Sequence, residues 1–274
     1  MTKEWALQAM NNQRTVAFLD ILGFRHMVMN TPLSELVEKY ERRIAEVESM
    51  RHPMFEKSGV PTLFSEHPEH SPLCEQYVFS DSIILVSTDN QAISALKLLI
   101  HAWRLSQAFI AFKMPLRGGI AFGELYSNPL RHICVGKALT AAYELEKMQA
   151  WIGVSIDRTV EDAFPELFSA EVASLGLLDD VLLRYNVPMK DGVFKELRTL
   201  NWRFNLIVEE GTRSLFVNSG HPDVMQKVVN TLDYAKVVVR SGRVYVSDQS
   251  KLPVELRSMW VGGKEPPFKH GDDL

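Results

Sequence analysis

The order of strand and helix patterns along the chain constrains its fold more than any other feature. Residues 15–20 (TVAFLD) are a short, β-rich apolar run that predicts a buried strand ending at a carboxylate. After a loop at residues 21–24, an N-cap at Thr31 precedes apolar residues that recur at helical spacing up to residue 47. Residues 76–87 (QYVFSDSIILVS) predict two strands that fold back at Ser80 and Asp81. The first third of the chain therefore predicts a strand, a helix and a hairpin.

The next segments continue this alternation. We predict a long apolar helix at residues 92–112, a strand at 118–126, a helix at 136–148 and a strand at 151–156. The order is βαββαβ plus a further helix and strand, which is the split βαβ, ferredoxin-like arrangement of an α+β protein, with an antiparallel sheet that carries helices on one face. Extra strands are predicted at 182–186 and 200–209, and a closing helix at 223–239.

Neither a repeat nor a linker divides the chain. We therefore expect a single domain over residues 1–274, with a core at about 14–205 and a C-terminal elaboration at 206–274. Residues 52–72 are rich in proline and histidine and predict a long irregular loop.

Composition indicates a cytoplasmic protein with a small partner. The chain has 274 residues and a net charge of −4, without the basic surplus of a nucleic-acid binder. Cys74 and Cys134 lie far apart and predict neither a disulfide framework nor a zinc site. The N-terminal residues lack the apolar run of a signal peptide, and polar residues interrupt the apolar stretch 96–112, which predicts a buried helix without membrane contact.

Two aspartates are the strongest candidates for chemistry. In the split βαβ order, the first strand lies beside the hairpin, so Asp20 at the end of that strand can lie near Asp81 at the hairpin turn. Two carboxylates held close together repel each other unless a cation lies between them. Mg²⁺ or Mn²⁺ would resolve this conflict and bind substrate phosphates. Taken singly, each aspartate could equally be a turn or cap residue.

The loop after Asp20 is a candidate phosphate site. Leu22, Gly23 and Phe24 precede a helix and could present backbone N–H groups to a triphosphate.

Several segments resemble the signature segments of class III adenylate and guanylate cyclases, in order and in spacing. They are FLDILGF (18–24), YVFSDSIILVS (77–87), RGGIAFGE (117–124), VGKALTAAYELE (135–146) and the lysine-containing VPMKDG (187–192). The resemblance covers roughly residues 15–203, and the first two segments are specific in combination.

This resemblance implies roles for particular residues. Asp20 and Asp81 would be ligands of two Mg²⁺ or Mn²⁺ ions, with the Ile21 carbonyl as a backbone ligand, and Lys190 would contact the triphosphate. It also implies a head-to-tail homodimer. One protomer would bind the metals of each site, and the other would supply the late helix and the base-side residues.

The chain departs from the purine cyclases at the base pocket. The family's purine-reading positions fall on Tyr77 and Ile133, which do not supply the donor and acceptor that read adenine. A tyrosine can stack on a pyrimidine and hydrogen-bond its carbonyl, although Tyr77 could equally be an aromatic residue packed inside the strand.

The chain also departs on the late helix. The family's ribose-orienting asparagine and transition-state arginine fall on Thr140 and Glu144. A carboxylate cannot stabilise charge on a phosphoryl oxygen, so either Lys137, Arg131 or Arg117 substitutes or the protein is inactive.

The whole pattern resembles the pyrimidine cyclases of the bacterial Pycsar antiphage systems. That resemblance implies conversion of UTP, or less favourably CTP, to a 3′,5′-cyclic monophosphate that activates a separate effector. Two alternatives stay open: a degenerate cyclase fold that binds a nucleotide or a partner, and an adenylate cyclase.

Overall fold

The computed structural model describes residues 12–49, 74–111, 114–169, 181–201 and 222–240. The strands are β1 (Gln13–Ile21), β2 (Glu75–Phe79), β3 (Ser82–Val86), β4 (Leu116–Glu124), β5 (Tyr126–Asn128), β6 (Ile133–Val135), β7 (Val154–Ile156), β8 (Leu182–Pro188) and β9 (Phe194–Leu200). The helices are α1 (Phe24–Asn30), α2 (Leu33–Ser49), α3 (Ala92–Ala111), α4 (Lys137–Met148), α5 (Arg158–Ala163) and α6 (Pro222–Arg240). Short 3₁₀ turns lie at Pro129–Arg131 and Pro165–Phe168.

A seven-stranded sheet with the order β2-β3-β1-β4-β7-β9-β8 organises the described residues. Strands β1 to β4 are all antiparallel and have the spatial order of the split βαβ unit, with β1 between β3 and β4. Strand β7 runs parallel to β4, and the β8–β9 hairpin joins β7 through antiparallel pairing with β9. The predicted α+β class and strand order are therefore confirmed.

Side-chain alternation along β1 assigns one core to each face of the sheet. Ala17, Leu19 and Ile21 belong to the large buried cluster that also contains the apolar side of α3. The intervening Val16 packs in a smaller cluster with Ala138 of α4. Helices α3 and α4 therefore cover opposite faces. By the same alternation, Asp20 lies on the α4 face.

This arrangement corrects the expectation of helices on one face only. The two helices of the split βαβ unit, α2 and α3, do pack against each other. Helix α4 is different, because it connects the parallel pair β4 and β7, and such a connection crosses over the sheet. It crosses on the face opposite to α3.

Gly119 allows α4 to approach the sheet closely. A Cβ atom at Gly119 would lie 2.3 Å from the Ala142 carbonyl oxygen of α4 and 2.9 Å from the Leu145 side chain. A larger residue here would displace the helix. The close contact brings the buried side of α4 onto the start of β4.

Several predicted boundaries were wrong. Residues 202–209 of the strand predicted at 200–209 lie outside the described residues, whereas a strand that the sequence did not predict lies at Phe194–Leu200. Its first three residues are exposed, so its apolar pattern is weak. The strand predicted at 118–126 ends at Glu124, where a separate two-stranded β5–β6 hairpin follows.

Other differences are smaller. The strand predicted at 151–156 begins only at Val154. Helix α1 was not predicted: it begins at Phe24, in the predicted loop, and Thr31, the predicted N-cap, is its C-cap. The proline-rich loop at 52–72 lies outside the described residues. Within the part of the chain that the structure describes, no helix is both long and apolar enough to cross a bilayer.

Candidate functional site

The structure brings the backbone segments that carry Asp20 and Asp81 into direct contact. The N–H of Ile21 donates a hydrogen bond of 2.8 Å to the Asp81 carbonyl oxygen, and Asp20 pairs with Ser82 in the β1–β3 ladder. Since the N–H and C=O of a residue in an extended strand point the same way, the Ile21 carbonyl also faces the hairpin turn. The three groups predicted to bind metal therefore lie at one end of the sheet.

The hairpin turn that carries Asp81 is held by a side chain from α2. Ser80 has a φ of 55°, a left-handed conformation that folds the chain sharply between β2 and β3. The hydroxyl of Tyr40 donates a hydrogen bond of 3.1 Å to the Ser80 carbonyl oxygen. Burial and the charge of Asp81 raise the pKa of Tyr40 to about 12, so this hydroxyl keeps its proton. Sequence reasoning missed Tyr40, which reads as an ordinary apolar position of an amphipathic helix.

The Asp20 carboxyl lies in an environment that disfavours its charge. Burial raises its pKa to about 6, and the charges of Glu146 and Asp81 contribute to the increase. Arg117 and Lys227 act in the opposite direction. A divalent cation would stabilise the ionised form of this half-buried carboxylate, which two other carboxylates repel.

The donor set fits a hard divalent ion. Two carboxylates and one backbone carbonyl are oxygen ligands, which Mg²⁺ and Mn²⁺ prefer, and such ions keep several waters and bind phosphates besides one or two carboxylates. Among the described residues, no group of three or more His, Cys, Asp or Glu side chains gathers into a cation cage. Asp20, Asp81 and Ile21 would therefore hold the ions together with the substrate.

The proposed phosphate loop is only partly available. The N–H of Leu22 donates to the Pro115 carbonyl oxygen at 3.0 Å, so it can donate to a phosphate only if that bond breaks. Gly23 adopts a φ of 78° at the N-cap of α1, and Phe24 begins the helix, so the N–H of Phe24 has no carbonyl partner within α1. The Phe24 side chain packs against the core near Tyr40, with ring centroids 6.1 Å apart.

A buried ion pair lies directly beside Asp20. Arg117 pairs with Asp20 across the β1–β4 ladder, and its Nε donates a hydrogen bond of 2.5 Å to Oε1 of Glu146 on α4. Both side chains are nearly inaccessible, with 9% exposure for Arg117 and 4% for Glu146. The sequence marks Arg117 as a candidate cation but gives no signal for Glu146, because a glutamate on a helix is usually exposed.

The two base-pocket positions are neighbours in space. Tyr77 packs in the apolar cluster that contains Val16, Val86 and Leu125, and Cys134, which is adjacent to Ile133, contacts the same cluster. The Tyr77 hydroxyl donates a hydrogen bond of 3.2 Å to Glu75 Oε2. Burial, together with the charge and hydrogen bond of Glu75, raises the pKa of Tyr77 to about 12. Glu75 was missed at the sequence level, and it fixes the direction in which this hydroxyl donates.

The late-helix substitutions lie on the outer side of α4. Thr140 and Glu144 are exposed, whereas Ala138, Ala142, Leu145 and Glu146 form the buried side. The Thr140 hydroxyl donates to the Gly136 carbonyl oxygen at 3.2 Å. Both positions therefore face away from the sheet that carries Asp20 in the same chain.

The three candidate replacement cations differ in their surroundings. The ammonium of Lys137 lies 2.8 Å from Glu124 in an exposed pair, and Arg131 is exposed in the 3₁₀ turn between β5 and β6. Only Arg117 lies next to Asp20, and Glu146 engages it.

Lys190 lies away from Asp81 within one chain. It is exposed in the β8–β9 turn, at the opposite edge of the sheet from the β2–β3 hairpin, and its N–H donates to the Met148 carbonyl oxygen at the end of α4. Its side chain lines a cleft of about 580 Å³ between this turn and α6. Lys227 of α6 lines the same cleft. Lys190 and Lys227 thus line a cleft beside the C-terminal end of α4, and the charge of Lys227 reaches Asp20.

Comparison with solved structures finds nucleotide cyclases. The adenylyl cyclase CyaB from P. aeruginosa is 13% identical with a TM-score of 0.41, over 70% of this chain and 95% of that chain. The guanylate cyclase domain of RhGC from Catenaria anguillulae, solved in complex with GTP, is 12% identical with a TM-score of 0.41, over 70% and 98%. The dimeric guanylyl cyclase domain of RhoGC from Blastocladiella emersonii is 13% identical with a TM-score of 0.44, over 70% and 95%. No family model and no curated protein matches the chain in sequence.

Proposed function

We propose that this protein is a nucleotide cyclase of the class III type that converts a pyrimidine nucleoside triphosphate to its 3′,5′-cyclic monophosphate and pyrophosphate. The observation that carries the proposal is the contact between the Asp20 and Asp81 segments. The Ile21 N–H bonds to the Asp81 carbonyl at 2.8 Å, at the end of a split βαβ sheet whose sequence resembles the cyclase signature segments. Isolated turn or cap aspartates would have no reason to share this end of the sheet.

Each residue has a defined task in this reaction. Asp20, Asp81 and the Ile21 carbonyl hold two Mg²⁺ or Mn²⁺ ions, and the N–H groups of Gly23 and Phe24 orient the phosphates. When bound, the ions supply activation of the ribose 3′-hydroxyl and stabilisation of the leaving pyrophosphate. Tyr40 supports the turn that carries Asp81.

The pyrimidine preference rests on the side chains at the base positions. The Tyr77 ring packs in an apolar cluster and Ile133 is exposed, and the two side chains lack the donor and acceptor pair that reads a purine edge. UTP is the favoured substrate and CTP the second. The cyclic product would activate a separate effector in antiphage signalling, as the sequence resemblance implies.

The active unit in this proposal is a head-to-tail homodimer. Thr140 and Glu144 lie on the exposed side of α4, and Lys190 lies in a turn at the opposite edge of the sheet from the β2–β3 hairpin. We call the end of the sheet that carries Asp20, Asp81 and the Ile21 carbonyl the metal end. A twofold partner would place its Thr140 and Glu144 surface opposite the metal end and complete two sites at once.

The test is product analysis. The purified protein is incubated with ATP, GTP, CTP and UTP, each with Mn²⁺, and the products are identified by mass. Cyclic UMP is expected as the main product, and Asp20→Ala should form none. A cyclic purine product with the higher kcat/KM would make the protein an ordinary purine cyclase and would overturn the pocket argument.

A second candidate is a cyclase fold that binds a nucleotide without turnover. The observation that favours it is the carboxylate of Glu144 where the family has its transition-state arginine. Saturable binding of UTP with Mn²⁺, without any cyclic product, would select this function.

A further inference from the structure

We propose that Glu146 is a positioning residue that holds the Arg117 guanidinium away from Asp20, so that the Asp20 carboxylate stays available for a divalent cation. The inference rests on the proposed function, in which Asp20 is a metal ligand. It assigns a role to a residue of α4 that does not itself contact the substrate.

The geometry places Arg117 within reach of Asp20. The two residues are paired across the antiparallel β1–β4 ladder, so their side chains leave the same face of the sheet with Cβ atoms about 5 Å apart. Both side chains lie on the side covered by α4. A guanidinium in this position would ordinarily form a bidentate pair with the opposite carboxylate.

Glu146 prevents that pairing in the observed structure. It engages Arg117 through Nε and through Nη2, which leaves the guanidinium turned toward α4. The remaining nitrogen, Nη1, is buried and has no hydrogen-bond partner among the described residues. An unsatisfied buried donor has a strong tendency to find an acceptor, and Asp20 is the carboxylate on the facing strand.

The opposite charges of Arg117 and Glu146 offset each other near the cation site. Arg117 and Glu146 together are neutral, so they add little net field at the metal end, although burying an ion pair is costly compared with apolar packing. Removing Glu146 alone would leave a buried positive charge beside the cation site. Removing Arg117 alone would leave an additional negative charge there. Of the two single changes, only the removal of Glu146 should therefore weaken cation binding.

The experiment measures Mn²⁺ affinity of the full-length, metal-depleted protein by titration calorimetry, without substrate. Glu146→Gln is expected to weaken Mn²⁺ binding at least about tenfold, because an uncompensated charge a few ångströms away repels the ion and competes for Asp20. Arg117→Met is expected not to weaken it. The Mn²⁺ affinity of the double variant Arg117→Met with Glu146→Met should return to within about threefold of wild type, because this variant removes both the positive charge and the carboxylate that binds it.

The control is an ion pair remote from Asp20. Arg198 and Glu161 lie 3.0 Å apart between β9 and α5, and Glu161→Gln should leave Mn²⁺ affinity unchanged. If Glu146→Gln does not fold, Glu146→Asp shortens the side chain, so that the carboxylate no longer reaches Arg117, and should still weaken binding. A purely structural pair predicts that both single variants weaken binding alike and that the double variant recovers nothing.

The outcomes separate this inference from the proposed function. Equal Mn²⁺ binding by wild type and Asp20→Ala would remove Asp20 as a ligand, and the proposed function would fail first. Binding that depends on Asp20 but not on Glu146 would overturn the inference alone.

Discussion

The metal end of the sheet and the outer side of α4 are built in contrasting ways. At the metal end, Asp20 and Asp81 lie on neighbouring segments that a backbone hydrogen bond from Ile21 to Asp81 joins. Side chains from α2, β4 and α4 surround them. On the outer side of α4, Thr140 and Glu144 are exposed, and Lys190 is exposed in the β8–β9 turn. The difference teaches that one chain brings the candidate cation ligands together, whereas in the proposed dimer a second chain would supply the other half of the site.

The largest expected effect comes from the metal end. Asp20→Ala or Asp81→Ala should lower the rate of cyclisation by at least about a thousandfold, because the ions lose a ligand and their several kcal/mol of transition-state stabilisation. Circular dichroism should show an unchanged fold. Full activity of either variant with Mg²⁺ would contradict the proposed mechanism.

The next effect tests whether the two regions act across a dimer. An Asp20→Ala protomer keeps an intact outer surface, while Lys190→Ala with Thr140→Arg keeps an intact metal end. Mixing the two inactive proteins should restore up to about a quarter of wild-type activity, since half of the randomly paired dimers are mixed and each has one complete site.

Two results would disprove the shared site. One is full activity of a monomer at nanomolar concentration. The other is no recovery although subunit exchange is demonstrated by labelled protomers.

A smaller effect concerns the stability of the metal end. Mn²⁺ at a hundredfold excess over its dissociation constant should raise the melting temperature of wild type by about 5 °C, through a stabilisation of about 2.7 kcal/mol. Asp20→Ala and Asp81→Ala should lose this shift, and Lys190→Ala should keep it. Thermal unfolding with and without Mn²⁺ provides the measurement.

The smallest effect is the loss of folding stability when Asp20 ionises in the metal-free protein. The pKa of Asp20 is raised to about 6 from 3.8, mainly by burial. Its stabilising contribution is therefore complete below pH 3.8 and is lost as the pH rises through 6. Because the group is partly exposed, solvent screening reduces the effect to about 1 kcal/mol at pH 7.5.

Asp20→Asn should therefore be more stable than metal-free wild type at pH 7.5 and equally stable at pH 4. Thermal unfolding at the two pH values checks this. A variant that is less stable than wild type at pH 7.5 would indicate that Asp20 makes a favourable contact as an anion.

Several elements could be predicted because local patterns specify them. The hairpin at Ser80 and Asp81 and the helices α3, α4 and α6 follow from alternation, turn residues and helical spacing. Strand β9 was not predicted because its exposed first half includes the charged Lys195 and Glu196, so pairing with β8 and not alternation defines it. Helix α1 was missed because its start is a left-handed Gly23 without a capping side chain.

The sequence by itself determined the split βαβ order and the positions of Asp20 and Asp81 at a strand end and a hairpin turn. Both depend on the period of apolar residues and on where strands end. Only the tertiary structure decided that Pro115 takes the Leu22 N–H and that Glu146 engages Arg117 beside Asp20. These contacts join residues far apart in the chain. They depend on which strands are neighbours and on how closely α4 approaches Gly119, and no local pattern records either quantity.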